Sequence, residues 1–150
     1  MIIKMERIEV QSTKDMEMID ITAHLERVVK ESGLHNGIVL AMTTHTSSGL
    51  IVTEGIECLE RDVVAHLDRL APKEAPPGAP GYWHNRYLDF DGRLGFNAGD
   101  HLKSILGGIN CFFAVENGKV VRGGRQTVYF VEYDGPLART VIIQVMGEGA

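Results

Sequence analysis

Cysteine is scarce. The chain holds two, Cys58 and Cys111, each in an apolar pattern and with no Cys-x-x-Cys spacing. Both read as small core residues, and a cytoplasmic setting is the default. Positive charge is short as well: Lys and Arg number 15 against 20 Asp and Glu, for a net charge of −5 and a pI of about 5.6. Phosphate backbones are gripped by clustered Lys and Arg, so a nucleic-acid partner is not expected. Long apolar runs are missing too, and none approaches the roughly 20 residues of a membrane helix. The start, "MIIKMERIEVQS", carries early charges and no extended apolar segment, so it does not read as a signal peptide. Proline is confined: four of the 5 (Pro72, Pro76, Pro77 and Pro80) fall in one stretch. What remains is an ordinary globular mixture, 44 % hydrophobic and 23 % charged over 150 residues. One domain spanning 1–150 with one core is the expectation.

Residues 2–10 and 16–21 are rich in Ile, Val and Met and read as strands. In "DITAHLERVVKESG", Ile21, Leu25, Val28 and Val29 fall on one helical face, and Gly33 is the expected stop. "GIVLAMTT" (37–44) reads as a buried strand, with a second at 49–55. The clearest helix is 56–72, where Ile56, Leu59, Val63, Leu67 and Leu70 recur at helical spacing before Pro72. The long Pro- and Gly-rich connection that follows carries Tyr82, Trp83, Tyr87, Phe90 and Phe96, which argue that much of it packs down. A short helix near 100–107 is expected to bury Leu102, Ile105 and Leu106. Strands fill the rest. Asn117-Gly118 marks a hairpin, because a type I′ turn needs positive φ at both central residues, and Asp134-Gly135-Pro136 marks another turn. The order is ββαββααβββ, with room for one further short strand after Asn117-Gly118. Strands arriving in adjacent pairs point to an α+β fold with antiparallel or mixed sheets.

Of the six histidines, His24 and His66 read as helix-flank surface residues and His35 as a turn residue. His45, His84 and His101 each stand where a rigid element meets a loop. Three imidazoles that leave one position open are a catalytic zinc arrangement. The separations form no local metal signature, however, and each residue also fits a satisfied loop or cap position. In "THTSSG", no nucleophile elbow surrounds Ser47. Ser47 and Ser48 read as cap or turn hydroxyls, or as donors that hold an anion ahead of Gly49. In "QTVYFVEYDGP", Gln126, Val128, Phe130 and Glu132 share one strand face, while Tyr129, Val131 and Tyr133 share the other. A carboxylate at Glu132 then needs a partner: a metal-bound histidine to support, or an ion pair with Arg125 or Arg139. Arg122 and Arg125 flank two glycines and offer a phosphate grip or an ordinary solvated loop.

Taken in order, "HTSSGL", "GYWHN", "NAGDHLKSILGG" and "VENGKVVRGGRQTVYFVEYDGPLARTVIIQVMGE" resemble the YjbQ-like family, a group of small proteins some of which are described as secondary thiamine-phosphate synthases. The resemblance runs from about residue 37 to the C-terminus. It implies an α+β, β-sandwich-like subunit and a homotrimer. It also implies that His45, His84 and His101 converge on a divalent metal, with zinc favoured for imidazole ligands. Glu132 and Asp100 become the acid–base candidates. Ser47, Ser48, Glu54, Asn85, Asn97, Arg125 and Gln126 become contacts for a small phosphorylated substrate. The implied activity is weak, metal-dependent thiamine-phosphate synthase-like transfer. Alternatives are a trimer that binds a metal or phosphorylated ligand without turnover, and a structural trimer with a vestigial site. Three positions depart from the family pattern: Arg125 stands where relatives carry Trp, Gly55 where they tend to carry Asn, and "NAGDHL" where they often have "NADAHL".

Overall fold

A computed structural model describes residues 1–86 and 96–150. Its elements are β1 (Ile2–Gln11), β2 (Glu17–Asp20), α1 (Thr22–Ser32), β3 (Leu34–Thr43), β4 (Ser48–Glu54) and α2 (Glu57–Leu70). A 3-10 turn at His84–Arg86 and α3 (Ala98–Gly107) follow. Then come β5 (Asn110–Glu116), β6 (Lys119–Val120), β7 (Gln126–Glu132) and β8 (Ala138–Gly149). The order is the expected one, and β6 is the additional short strand.

The strands form a five-stranded sheet, β1-β8-β3-β5-β6, and a three-stranded sheet, β2-β7-β4, and every pair in both is antiparallel. The main core lies between them. Val39, Ala41, Val141, Ile143 and Val145 come from the larger sheet, Leu50, Val128 and Phe130 from the smaller. Helix α1 adds Leu25, Val28 and Val29, and Gly33 ends it in the left-handed conformation (φ 77°) as expected. The hairpin between β5 and β6 turns on Asn117 (φ 51°) and Gly118 (φ 74°). Strand β7 is buried on both faces. Val128 and Phe130 enter the main core, while Tyr129, Val131 and Tyr133 form a second cluster with Leu67 of α2. That explains why its sequence is nearly continuously apolar rather than alternating.

Several expectations need correction. His35 lies inside β3, not in a turn, because the strand starts early at a bulge between Leu34 and Asn36. Cys58 is exposed near the start of α2, and Cys111 is half-buried. Of the α2 stripe only Leu67 is buried, while Ile56 and Leu70 are exposed. Helix α3 is turned opposite to its apolar pattern. Leu102, Leu106 and Ile105 (75 % exposed) face outward, and Ala98, Gly99, Asp100, Lys103 and Ser104 face in. The inward face meets polar partners, since the Ser104 hydroxyl donates to the Ser48 carbonyl at 2.6 Å. Backbone also approaches closely: a Cβ on Gly99 would stand 2.4 Å from the Pro72 carbonyl oxygen. In the long connection, Tyr82 packs down and its hydroxyl donates to the Pro72 carbonyl at 2.7 Å, but Trp83 (71 % exposed) and Phe96 do not. Tyr87 and Phe90 lie outside the described residues. No helix among the described residues is long and apolar enough to cross a membrane.

Candidate functional site

The loop after β3 and the first turn of α3 meet at one end of the β4–β7 ladder. There the Nδ1 atom of His101 lies 3.0 Å from the Thr46 carbonyl oxygen. His84, in the 3-10 turn, faces it with ring centroids 5.0 Å apart and planes inclined by 57°. The Nε2 atom of His84 lies 2.9 Å from Oδ1 of Asn97, whose Nδ2 donates to Asp134 at 2.8 Å. Asn85 has a local task, accepting the Ala98 N–H at 3.2 Å and so tying the turn to the start of α3. The two imidazoles line an open cleft of about 500 Å³ together with Thr46, Tyr82, Trp83, Ala98 and Leu102. Its walls are mainly aromatic and aliphatic, and the Arg86 guanidinium stacks over the Trp83 ring at 5.0 Å from its centroid.

The third histidine is placed differently. His45 shares the loop with Thr46, but its Nε2 accepts the Thr140 N–H at 3.2 Å. Among the described residues no group of three or more His, Cys, Asp or Glu is positioned to hold a metal ion. Of the three histidines expected to converge, His84 and His101 face each other, while His45 is engaged by the backbone of β8.

Beneath the cleft lies a buried charge network. The Glu132 carboxylate (0 % exposed) is gripped by Arg139, whose Nε donates at 2.9 Å and 3.1 Å. The Ser12 hydroxyl and the Asp134 N–H donate to it as well, at 2.7 Å and 3.2 Å. Of the two arginines open at the sequence level, Arg139 is thus the partner. Burial opposes the Glu132 charge, but Arg139, Ser12 and the Asp134 amide outweigh it and hold the carboxyl below its usual value. Ser47 and Ser48 belong to the same interior. The Ser47 Oγ accepts from Arg139 at 3.0 Å, and the Ser48 hydroxyl donates to the His45 carbonyl at 3.0 Å.

Asp100 is enclosed by two ammonium groups. Lys73 Nζ lies 3.3 Å from its Oδ2, and Lys103 Nζ lies 4.0 Å from its Oδ1. Oδ2 nevertheless has no hydrogen-bond partner, so the Lys73 contact is Coulombic. Burial dominates and, with Asp134 nearby, pushes the Asp100 carboxyl up to about 6 against the pull of both lysines.

Glu54, Arg125 and Gln126 are not in this neighbourhood. Glu54 pairs with Gln126 in the β4–β7 ladder, whereas Ser48 pairs with Glu132 at its other end. The length of those strands separates the two groups by roughly 20 Å. At the far end Arg125 donates to Glu54 at 3.1 Å, and the Gln126 side chain accepts the Gly123 N–H at 2.8 Å.

The model of the UPF0047, YjbQ-like family matches residues 6–148. The chain belongs to the YjbQ-like UPF0047 family. It is 35 % identical over 136 residues to a UPF0047 protein of Archaeoglobus fulgidus, covering 91 % of this chain and 96 % of that one. Identity to the UPF0047 protein YugU of Bacillus subtilis is 31 % over 141 residues, covering 93 % and 97 %. A crystal structure of a YbjQ-like protein of unknown function from Sulfolobus solfataricus P2 superposes with a TM-score of 0.86 at 28 % identity, covering 97 % and 98 %. The α+β fold of antiparallel sheets is therefore the one seen in solved relatives.

Sequence reasoning singled out His84, His101, Asn97 and Asp100, and these do come together. It missed Thr46, Asp134, Lys73 and Lys103. Asp134 was visible only as a turn residue, and the lysines carried no signal because lysine is ordinarily a surface residue.

Proposed function

We propose that the His84–His101 cleft is the working site of a cytoplasmic homotrimer, and that it takes a small, flat-ringed phosphorylated ligand with the help of a divalent metal, zinc favoured. The observation that carries the reading is the facing pair of imidazoles in an aromatic-walled cleft. No Lys or Arg is among the cleft's described lining residues, so a phosphate there needs a cation brought by a metal on the imidazoles or by Arg86. A metal would supply Lewis acidity toward a departing pyrophosphate. The activity to test is thiamine-phosphate synthase-like transfer, in which a C–N bond to a thiazole phosphate forms as the C–O bond to pyrophosphate breaks. Binding without turnover is the second reading. It is favoured by the hydroxyls of Ser47 and Ser48, which are buried and already bonded within the protein.

Metal analysis of the purified protein, followed by the two-precursor assay with and without chelator, tests both readings. Stoichiometric zinc that is lost in His101→Ala is expected. Zinc with no product selects the binding reading. Absence of zinc together with absence of product rejects the metal-assisted site.

The trimer has its own support. The outer face of the five-stranded sheet carries Ile3, Met5, Ile38, Phe112 and Met146, all exposed. A hollow of about 220 Å³ lies on it between Ile38, Leu40, Phe112, Gln144 and Met146. A contiguous apolar sheet face of this kind marks an association surface. Assembly is also the only way to bring the Glu54–Arg125–Gln126 group of one copy near the cleft of another. Light scattering at micromolar concentration is expected to give a trimer mass, and Phe112→Asp a smaller species. A monomeric wild-type mass would remove the claim.

A further inference from the structure

We infer that Lys73 is a positioning residue for the cleft: its ammonium pins the loop that carries Tyr82, Trp83 and His84 to the body of the protein, so that one wall of the cleft is a strap seated by charge. The functional weight of this rests on the reading of the cleft as the working site, but the pinning itself does not. The two walls differ in make. Ala98, His101 and Leu102 stand on α3, whose inward face is packed into the fold. Tyr82, Trp83 and His84 stand on the connection that leaves α2 and holds Pro72, Pro76, Pro77 and Pro80. The middle of that connection, residues 76–81, is exposed. An exposed stretch buries no core of its own, so its seating depends on its two ends.

Both ends meet at the start of α3. At the entry, backbone lies against Gly99, where a Cβ would stand 3.0 Å from the Cα of Lys73. At the exit, Asn85 accepts the Ala98 N–H at 3.2 Å, and the Tyr82 hydroxyl donates back to the Pro72 carbonyl at 2.7 Å. The exit is thus tied to the entry, and the entry is tied down by Lys73. Its Nζ donates to Oδ1 of Asp15 at 2.5 Å, and lies 3.3 Å from Oδ2 of Asp100 and 3.9 Å from Oδ1 of Asp134. These carboxylates come from the β1–β2 turn, from α3 and from the β7–β8 turn. The two turns are themselves joined, since the Gly135 N–H donates to the Asp15 carbonyl at 2.8 Å. Three anions gathered about one point repel each other unless a cation sits among them. Among the described residues Lys73 is the cation that reaches all three; Lys103 reaches Asp100 from the other side, at 4.0 Å.

The same cage reaches the cleft by a second route. Asp134 also accepts from Asn97 at 2.8 Å, and the other end of that amide lies 2.9 Å from His84. Loss of the ammonium therefore acts on the strap at its entry and through Asn97. A lone pair between Lys73 (side chain 40 % exposed) and Asp15 (63 %) would contribute little. Asp100 changes that balance, because it is buried and cannot turn to water when the cation leaves. Solvent still reaches the Lys73 side of the cage, so salt weakens the pin. A ligand that engages both walls thus has its affinity set in part by a residue that lines neither.

Hydrogen exchange of the full chain, read amide by amide by NMR, tests the pin. The Ala98 N–H reports seating directly, since its acceptor is the Asn85 side chain on the strap. The Leu50 N–H, bonded to the Gly108 carbonyl at 3.0 Å past the other end of α3, is the reference. Lys73→Met keeps most of the stem and removes the charge, and in it Ala98 is expected to exchange about 10-fold faster relative to Leu50. Lys73→Arg restores the charge and is expected to recover most of the wild-type ratio. Raising salt from about 0.05 to 1 M, where the screening length falls to about 3 Å, is expected to speed Ala98 relative to Leu50 in the wild type and not in Lys73→Met. Zinc affinity of Lys73→Met is expected to be about 10-fold weaker. A Lys73→Met ratio equal to that of the wild type overturns the inference, and so does a Lys73→Arg protein that exchanges like Lys73→Met. If Lys73→Met does not fold, the wild-type salt series decides, and a ratio indifferent to salt overturns the inference. A salt-sensitive strap in a protein that takes up no zinc would support the inference and count against the metal-assisted function alone.

Discussion

Glu132→Gln is expected to lower stability by about 3–5 kcal/mol, the range for breaking a buried ion pair from one side. The substitution keeps the shape of the side chain and removes its charge. Arg139, only 6 % exposed, would then hold a cation among groups that were arranged around an anion. Four donor atoms converge on this carboxylate, from Ser12, the Asp134 amide and Nε and Nη2 of Arg139. An amide can accept some of these bonds but cannot neutralise the guanidinium. Glu132→Gln combined with Arg139→Met is expected to recover most of the loss, because the unpaired charge is removed as well. The pH dependence has a definite sign. The Glu132 carboxyl is held below the usual carboxylate range, so its contribution is present above that range and disappears as pH falls through the lower, folded value. Glu132→Gln should flatten that acid limb. Urea midpoints between about pH 3 and 7, at one protein concentration so that assembly does not vary, read both effects. A loss below about 1 kcal/mol would mean that water or a neighbouring group compensates Arg139, against the burial seen here.

Where local chemistry forces a conformation, the fold was legible in the sequence. Asn117-Gly118 had to be a hairpin turn, and both residues take positive φ. Gly33 had to stop a helix, and does so in the left-handed conformation. The two faces of β7 followed from period two, and the structure assigns them to two different clusters. Helix α3 shows where such reasoning stops. Periodicity reports that Leu102, Ile105 and Leu106 form a stripe, but not which way the stripe faces. The orientation is set by partners distant in the chain. Ser104 reaches the Ser48 carbonyl, and Lys103 reaches Asp68 at 3.1 Å. A chain that also has an uncovered apolar sheet face can leave this stripe outward as well.

The site was legible as a set of residue types and not as a set of partners. His84 and His101 were picked out for standing at loop junctions, and the structure brings their rings together. Their hydrogen-bond partners, Asn97 with Asp134 and the Thr46 carbonyl, depend on how four segments meet, which no local pattern encodes. The choice between Arg125 and Arg139 as the partner of Glu132 is similar. Arg125 precedes β7, so the length of the strand carries it away, while the turn at Asp134-Gly135-Pro136 brings Arg139 back beside Glu132.

Lys103→Met is expected to cost roughly 1–2 kcal/mol at pH 7, about the most that a carboxyl already titrating near 6 can lose before it takes up a proton, and Asp100→Asn is expected to restore most of it. Lys103 is 2 % exposed and Asp100 is 1 % exposed, on adjacent turns of α3. Asp68, the other partner of Lys103, is 55 % exposed by side chain and can turn to water. The penalty therefore falls on Asp100, which keeps Lys73 at 3.3 Å but without a hydrogen bond at that oxygen. In the wild-type protein burial already pushes the Asp100 carboxyl from 3.8 up to about 6. The folded state thus holds this proton more tightly than the unfolded chain, and stability falls as pH rises between those two values. The fall amounts to about 3 kcal/mol. Lys103 pulls the Asp100 value down, so Lys103→Met should extend the decline to higher pH until protonation of the carboxyl limits it. Asp100→Asn, which cannot ionise, should abolish the decline in either background. Urea midpoints from about pH 4 to 8 for the wild type, both single variants and the double variant give the full cycle. A loss in Lys103→Met that is independent of pH, or that Asp100→Asn does not repair, would assign the cost to lost packing of the lysine stem and not to a stranded carboxylate.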